Sequence, residues 1–230
     1  MLLVVDMIDV HYSTASELFS SGFSSSSLLF SQPLANHTLP NYQLKRVLYA
    51  YHEAGHAVVW HVVNGLIEAV SIDSDQTGYR GYCRFGFLLH TEDDPSESDV
   101  AWPYNGRIHP KTVTAYYAGM LAMAYYCASY GDEDDYVEGS EQDDLEQINA
   151  LLLRLSPDEQ QRSALKEACW TEAQKLLSDY WPAVQALATK LLKRRTIDGR
   201  DAHRIIWHTI GYPDTDWRFG ALNMQREHIK

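Results

Sequence analysis

Leu48-Tyr49-Ala50-Tyr51-His52-Glu53-Ala54-Gly55-His56-Ala57-Val58-Val59-Trp60-His61-Val62-Val63 is the stretch from which the rest of the chain is read. Together with Leu44 and Val47 ahead of it, its apolar positions recur as they do on a helix packed into a core. The spacing predicts a helix from Tyr42 to Val63, ended by Asn64-Gly65, a pair suited to a C-terminal cap. His52 and His56 fall one helical turn apart, so both imidazoles project from one face and can reach one metal ion. Glu53, beside the first histidine, is placed to hold and deprotonate a water activated by that ion. Two ordinary core histidines at helical spacing are the plainer alternative, and the rigid, half-buried setting favours the metal.

The whole chain has 230 residues, 45% of them hydrophobic, enough for one domain with a substantial core. A formal charge of -12 disfavours nucleic acid and anionic lipid, which both need a basic surface. The three cysteines, Cys83, Cys127 and Cys169, are odd in number and far apart, with no Cys-x-x-Cys pair. They fit a reducing compartment and read as small buried side chains. No run approaches the roughly 18 to 20 apolar residues needed to span a bilayer. The opening Met1–Val10 carries Asp6 and Asp9 and no basic residue, so it does not read as a signal peptide. The expectation is a soluble, cytoplasmic protein with no membrane span and no nucleic-acid partner.

Residues 1–40 are serine-rich around Ser20–Ser27 and read as a weakly ordered tail, residues 41–211 as the domain, and 212–230 as a polar tail. Strands are expected at Ile67–Ile72 and Tyr79–Leu89, around a turn at Asp73–Gly78. An acidic surface loop follows over Glu92–Asn105, and the Ala-, Met- and Tyr-rich Lys111–Tyr130 is too apolar for an exposed helix. A second acidic loop, Gly131–Gln142, leads to a helix over Asp143–Leu155. The run Asp132–Asp135 lacks the glycine of a calcium loop. Ser156-Pro157-Asp158-Glu159 reads as a helix start with serine as the cap, that helix running to Ser178. Another is expected over Pro182–Arg195, then a turn at Ile197-Asp198-Gly199 and a last helix over Arg200–Ile210. The fold class is therefore mainly α with a small β-sheet.

A catalytic zinc site needs a third protein ligand. His61, five residues after His56, is rotated off the ligand face, and no metzincin-type third histidine follows. Glu141, Asp143, Asp144 and Glu146 are the better choices, since a carboxylate at a helix start is held by backbone amides. At this point the chain resembles the peptidase domain of the FtsH-type AAA+ zinc metalloproteases. The resemblance is carried by AYHEAGHAVV, by IEAVSIDSDQTGYRGYCRF, by GSEQDDLEQINALL and by the closing helices through the Ile-Asp-Gly turn. It covers about Tyr42 to Ile210 and implies a zincin-type domain of the FtsH protease kind. Aligned on the family's Asp-Leu pair, the resemblance puts the third ligand on Asp144, with Asp143, where the family has Asn, as a competitor.

The resemblance further implies a zinc metallopeptidase: His52, His56 and Asp144 as zinc ligands, and Glu53 as the general base. The family's polar helix after Ala-Gly is replaced by the apolar Ala118–Met123, whose face is expected to pack differently, with a subunit contact as one option. No Gly-x-x-x-x-Gly-Lys-Ser/Thr loop occurs, so the reading is a protease module acting without its own ATPase on peptides or unfolded and flexible segments. The alternatives are a non-catalytic, zinc-stabilised binding or regulatory module, and a protease subunit that depends on a separate ATPase partner. A homo-oligomer is left open, as is another divalent ion in place of zinc. His109 is the only guess for a group stabilising the tetrahedral intermediate. The tyrosines at 116, 117, 125 and 126, and Trp207 and His208, are read as structural.

Overall fold

The computed structural model describes residues 41–73, 81–88, 109–130 and 142–211. The expectations for both tails, for the two acidic loops and for most of the strand-to-strand turn lie outside them. Five helices and three strands follow in the order α1 (Asn41–Val62), β1 (Gly65–Ser71), β2 (Tyr82–Leu88), α2 (Pro110–Tyr130), α3 (Gln142–Leu155), α4 (Glu159–Arg194), β3 (Thr196–Asp198) and α5 (Gly199–Ile210). The fold class is as expected, mainly helical with a small antiparallel sheet.

α1 is apolar around most of its circumference, and residues 50–61 are all buried. Such a helix is stable only as the centre of a core. α2 is its neighbour and equally apolar, with residues 112–115 and 117–124 buried. The two cross closely because small residues meet there. A Cβ on Gly55 would overlap the Ala118 carbonyl and lie 2.6 Å from the Ala122 Cβ. The apolar Ala118–Met123 segment thus packs within its own chain, against the metal-motif helix.

The sheet order is β2-β1-β3, with β1 antiparallel to both neighbours. α1 ends where expected, with Asn64 in the left-handed region at φ 71, and the chain turns back into β1. Trp60 Nε1 donates to the Leu66 carbonyl at 2.8 Å and stacks on Phe85 of β2 with ring centroids 4.8 Å apart. These contacts fix β2, an edge strand, alongside the motif helix.

Two local readings are corrected, and a third holds. β3 was expected as a turn, yet Ile197 is buried and pairs with Val70, because β1 offers it a free edge. α4 is capped by Asp158 rather than Ser156. The Asp158 carboxylate accepts from the Gln161 N–H at 2.8 Å, while the Ser156 hydroxyl serves the Asp158 N–H at 3.2 Å. The two helices expected on either side of residues 178–182 are found: the helical stretch Glu159–Arg194 breaks where Tyr180 leaves helical backbone (φ -115, ψ 18), two residues ahead of Pro182. Proline removes one ladder bond and crowds the preceding turn, which kinks or breaks a helix there. Beyond the break, Trp181, Val184, Leu187, Ala188 and Leu191 supply the buried stripe of the second part.

A buried pair of histidines ties the last helix down. The His203 Nε2 accepts from the Ile67 N–H at 2.9 Å, which leaves its own proton on Nδ1. That Nδ1 lies 2.5 Å from the Nδ1 of His61. One imidazole thereby bridges α5, α1 and β1, and Trp207 packs edge-on to His61 at 5.3 Å.

Candidate metal centre

His52 and His56 project from one face of α1, and Asp144 reaches them from the first turn of α3. The two Nε2 atoms are 3.0 Å apart. The Asp144 Oδ2 lies 3.0 Å from that of His52 and 3.1 Å from that of His56. His52, Glu53 and His56 are 6%, 5% and 4% exposed, so ionisable groups are gathered here in a nearly dry place. Burial of this kind is costly unless the charges are compensated.

Asp144, and neither Asp143 nor Glu146, is the residue brought in. α3 is amphipathic, and Ile148, Leu151 and Leu152 form its buried stripe. Asp144 lies one turn before Ile148 on that stripe, whereas Asp143 and Glu146 are exposed. The 3.6-residue period would have chosen Asp144 from sequence alone. Glu141 lies outside the described residues.

α2 moulds the seat of His56. The His56 Nδ1 donates to the Ala115 carbonyl at 2.8 Å, which turns its Nε2 lone pair toward the cluster. Four residues on, Gly119 faces the ring, and a Cβ there would overlap the His56 Cε1 and Nε2. Only glycine fits so close to a ligand ring. Phe85 and Tyr116 stand edge-on to His56, each with ring centroids 6.0 Å away. His52 Nδ1 has no hydrogen-bond partner among the described residues.

The three donors fit a metal ion. Asp144 Oδ2 is buried and close to both Nε2 atoms, yet no N–H is aimed at it well enough to count as a hydrogen bond. Two imidazole nitrogens and a carboxylate oxygen converging in this way are a donor set that a divalent cation satisfies. The 3.0–3.1 Å edges are also near the edge of about 3.3 Å of a tetrahedron with ligand distances of about 2.0 Å. His52, His56 and Asp144 thus form a group able to hold a metal ion.

In the metal-free chain protons take that place. Burial opposes a charged His56, but the Asp144 carboxylate, Glu53 and the Ala115 carbonyl together lift its pKa to about 9. Burial would raise Asp144, yet His56 and His52 hold it well below the usual carboxylate range. Glu53 is pushed up to about 7 by burial, against the pull of the two histidines.

Reasoning from sequence missed several neighbours. Cys83 of β2 is half-buried rather than a core side chain, and burial, then Glu53 and Asp144, push its thiol up. Tyr116 borders the site rather than filling core. Gly81, entering β2 at φ 151, comes so close to Glu53 that a Cβ there would lie 2.7 Å from Oε1. His61 and His203 belong to the α5 tether. His109 sits at the start of α2, where its Nδ1 accepts from the Lys111 N–H at 3.1 Å. No local pattern signals these positions, since each is set by packing between distant segments.

Comparison with known protein families finds no family model that matches the chain, and no curated protein matches it. Fold and site together define a mainly helical domain with a small antiparallel sheet and a buried His-His-Asp group able to hold a metal ion. No helix among the described residues is long and apolar enough to cross a membrane.

Proposed function

We propose that the chain is a zinc-dependent metallopeptidase that hydrolyses peptide bonds in peptides and in extended or unfolded protein segments. The observation that carries this reading is Glu53, a carboxyl buried against the His52, His56 and Asp144 group. A site that only pins helices together has no use for an extra buried acid, whereas a general base has to stand beside the metal ligands, as Glu53 does. Zinc, when bound, lowers the pKa of water and polarises a carbonyl. Glu53 takes the proton of the attacking water and delivers it to the leaving amine. His56 is held in its ligating orientation by Ala115. The edge strand β2 runs past Glu53, and glycine at 81 keeps its backbone close, so an extended peptide pairing with β2 would pass the base. A stable fold cannot supply such a segment, since opening one costs about 5–15 kcal/mol. The resemblance to FtsH-type peptidase domains points the same way.

The test is hydrolysis of a permanently unfolded protein by zinc-loaded wild type beside Glu53→Gln, without ATP. Wild type should cleave, and Glu53→Gln should keep its zinc and lose turnover by about 100- to 10,000-fold. Two inert proteins with zinc bound would instead support a zinc-stabilised binding module. Equal cleavage by both would remove Glu53 from the chemistry.

A further inference from the structure

The peptidase reading leaves one task without a residue: when water adds to the scissile carbonyl, its oxygen becomes an anion that needs a hydrogen-bond donor. Tyr116 stands beside the ligand ring of His56. It is the one position in the run 112–124 of α2 that is not buried, so its side chain keeps some solvent access while its helix is fixed in the core. It follows Ala115, whose carbonyl holds His56, and lies on the same stretch as Gly119, which faces the His56 ring. The ring itself is held between two others. His56 is edge-on at 6.0 Å, and Phe85, on β2, is edge-on at 5.3 Å. Burial, then Asp144 and Cys83, push the Tyr116 phenol up to about 12, so it keeps its proton throughout the neutral range.

We propose that Tyr116 is a catalytic residue whose phenolic O–H donates a hydrogen bond to the oxyanion of the tetrahedral intermediate. The assignment rests on the metallopeptidase reading above. In the first step the water oxygen bonds to the carbonyl carbon, Glu53 takes the water's proton, and the π electrons move to the carbonyl oxygen. That oxygen receives the Tyr116 hydrogen bond without taking its proton. In the second step the C=O bond re-forms, the C–N bond breaks, and Glu53 gives its proton to the departing amine. Charges and atoms balance with water as the only co-reactant. A donor aimed at the oxyanion acts on the transition state more than on the bound substrate, so it governs kcat rather than KM.

Tyr116→Phe keeps the ring contacts and removes only the hydroxyl. With a fluorogenic peptide its kcat should fall about 100- to 1,000-fold, with KM within about twofold of wild type and zinc content unchanged. A second measurement does not depend on turnover. In the Glu53→Gln background, adding Tyr116→Phe should weaken binding of a phosphinic peptide, whose oxygens imitate the tetrahedral centre, and leave binding of the plain product peptide unaltered. Wild-type kcat and undiminished phosphinic affinity in Tyr116→Phe would overturn the Tyr116 assignment while leaving the peptidase reading standing. Zinc lost along with activity would make Tyr116 a support of the metal seat and overturn it too. A wild type inert toward every peptide would overturn the peptidase reading and this assignment together.

Discussion

Replacing Gly119 with alanine adds one methyl group at the closest contact between α2 and a metal ligand. The added Cβ would overlap the His56 Cε1 and Nε2 and lie 2.8 Å from Cδ2. Ordinary contact needs about 3.5–4.0 Å, so ring and helix must separate by about 1 Å. The ring has little freedom to comply. His56 is 4% exposed, its Nδ1 is bonded to Ala115, and Phe85 and Tyr116 stand at its sides. Metal donors tolerate displacements of only about 0.2 Å, so a shift of this size spoils the 3.0–3.1 Å triangle with His52 and Asp144. Zinc affinity should fall about 10- to 100-fold, or about 1.4–2.7 kcal/mol. Overpacking should cost a further 1–3 kcal/mol or so of metal-free stability. The assay is chelator competition for zinc, paired with urea unfolding of the metal-free protein. Ala128→Ser, at an exposed position of the same helix, serves as the control. Wild-type zinc affinity and stability in Gly119→Ala would refute the packing on which the seat of His56 depends.

Two further outcomes follow from the same geometry. His56, raised from 6.5 to about 9 in the metal-free chain, carries a proton at neutral pH that a metal must displace. Apparent zinc affinity should therefore rise about tenfold per pH unit up to about pH 9, and a flat chelator-competition profile would contradict it. The sign for metal-free stability is opposite. The His56 contribution is complete below pH 6.5 and is lost as pH climbs through about 9. That of Glu53 is complete below 4.5 and lost through about 7. Asp144, lowered from 3.8, contributes above that value and loses its contribution only in stronger acid. The thermal midpoint of the metal-free protein should thus fall between pH 5 and pH 9, as scanning calorimetry would show. Finally, His203→Ala removes the acceptor of the Ile67 N–H and the partner of His61, leaving a cavity among buried groups. It should destabilise by about 2–4 kcal/mol in denaturant titration, and a loss below about 0.5 kcal/mol would mean that α5 is held by other contacts.

The motif helix, its end at Asn64-Gly65 and the core position of α2 were legible in the sequence, because each depends on spacing within a few turns of one segment. So was the candidate pair His52 and His56, since a separation of four residues places two side chains on one helix face whatever surrounds them. Asp144 was legible in part: the stripe through Ile148, Leu151 and Leu152 distinguishes it from Asp143, although only packing brings α3 to α1. The third strand was not legible, because three residues around Ile197 become a strand only when β1 offers an edge. The break between the two helical parts of α4 at Tyr180 was legible, because Pro182 marks it within one segment. Local chemistry thus determined which side chains can bind a metal. The places of Ala115, Tyr116 and Gly119 around His56, of Gly81 beside Glu53, and of His203 between three elements were decided by the tertiary structure alone. Side chains from distant segments meet only after the chain is packed, and no periodicity within one segment encodes that meeting.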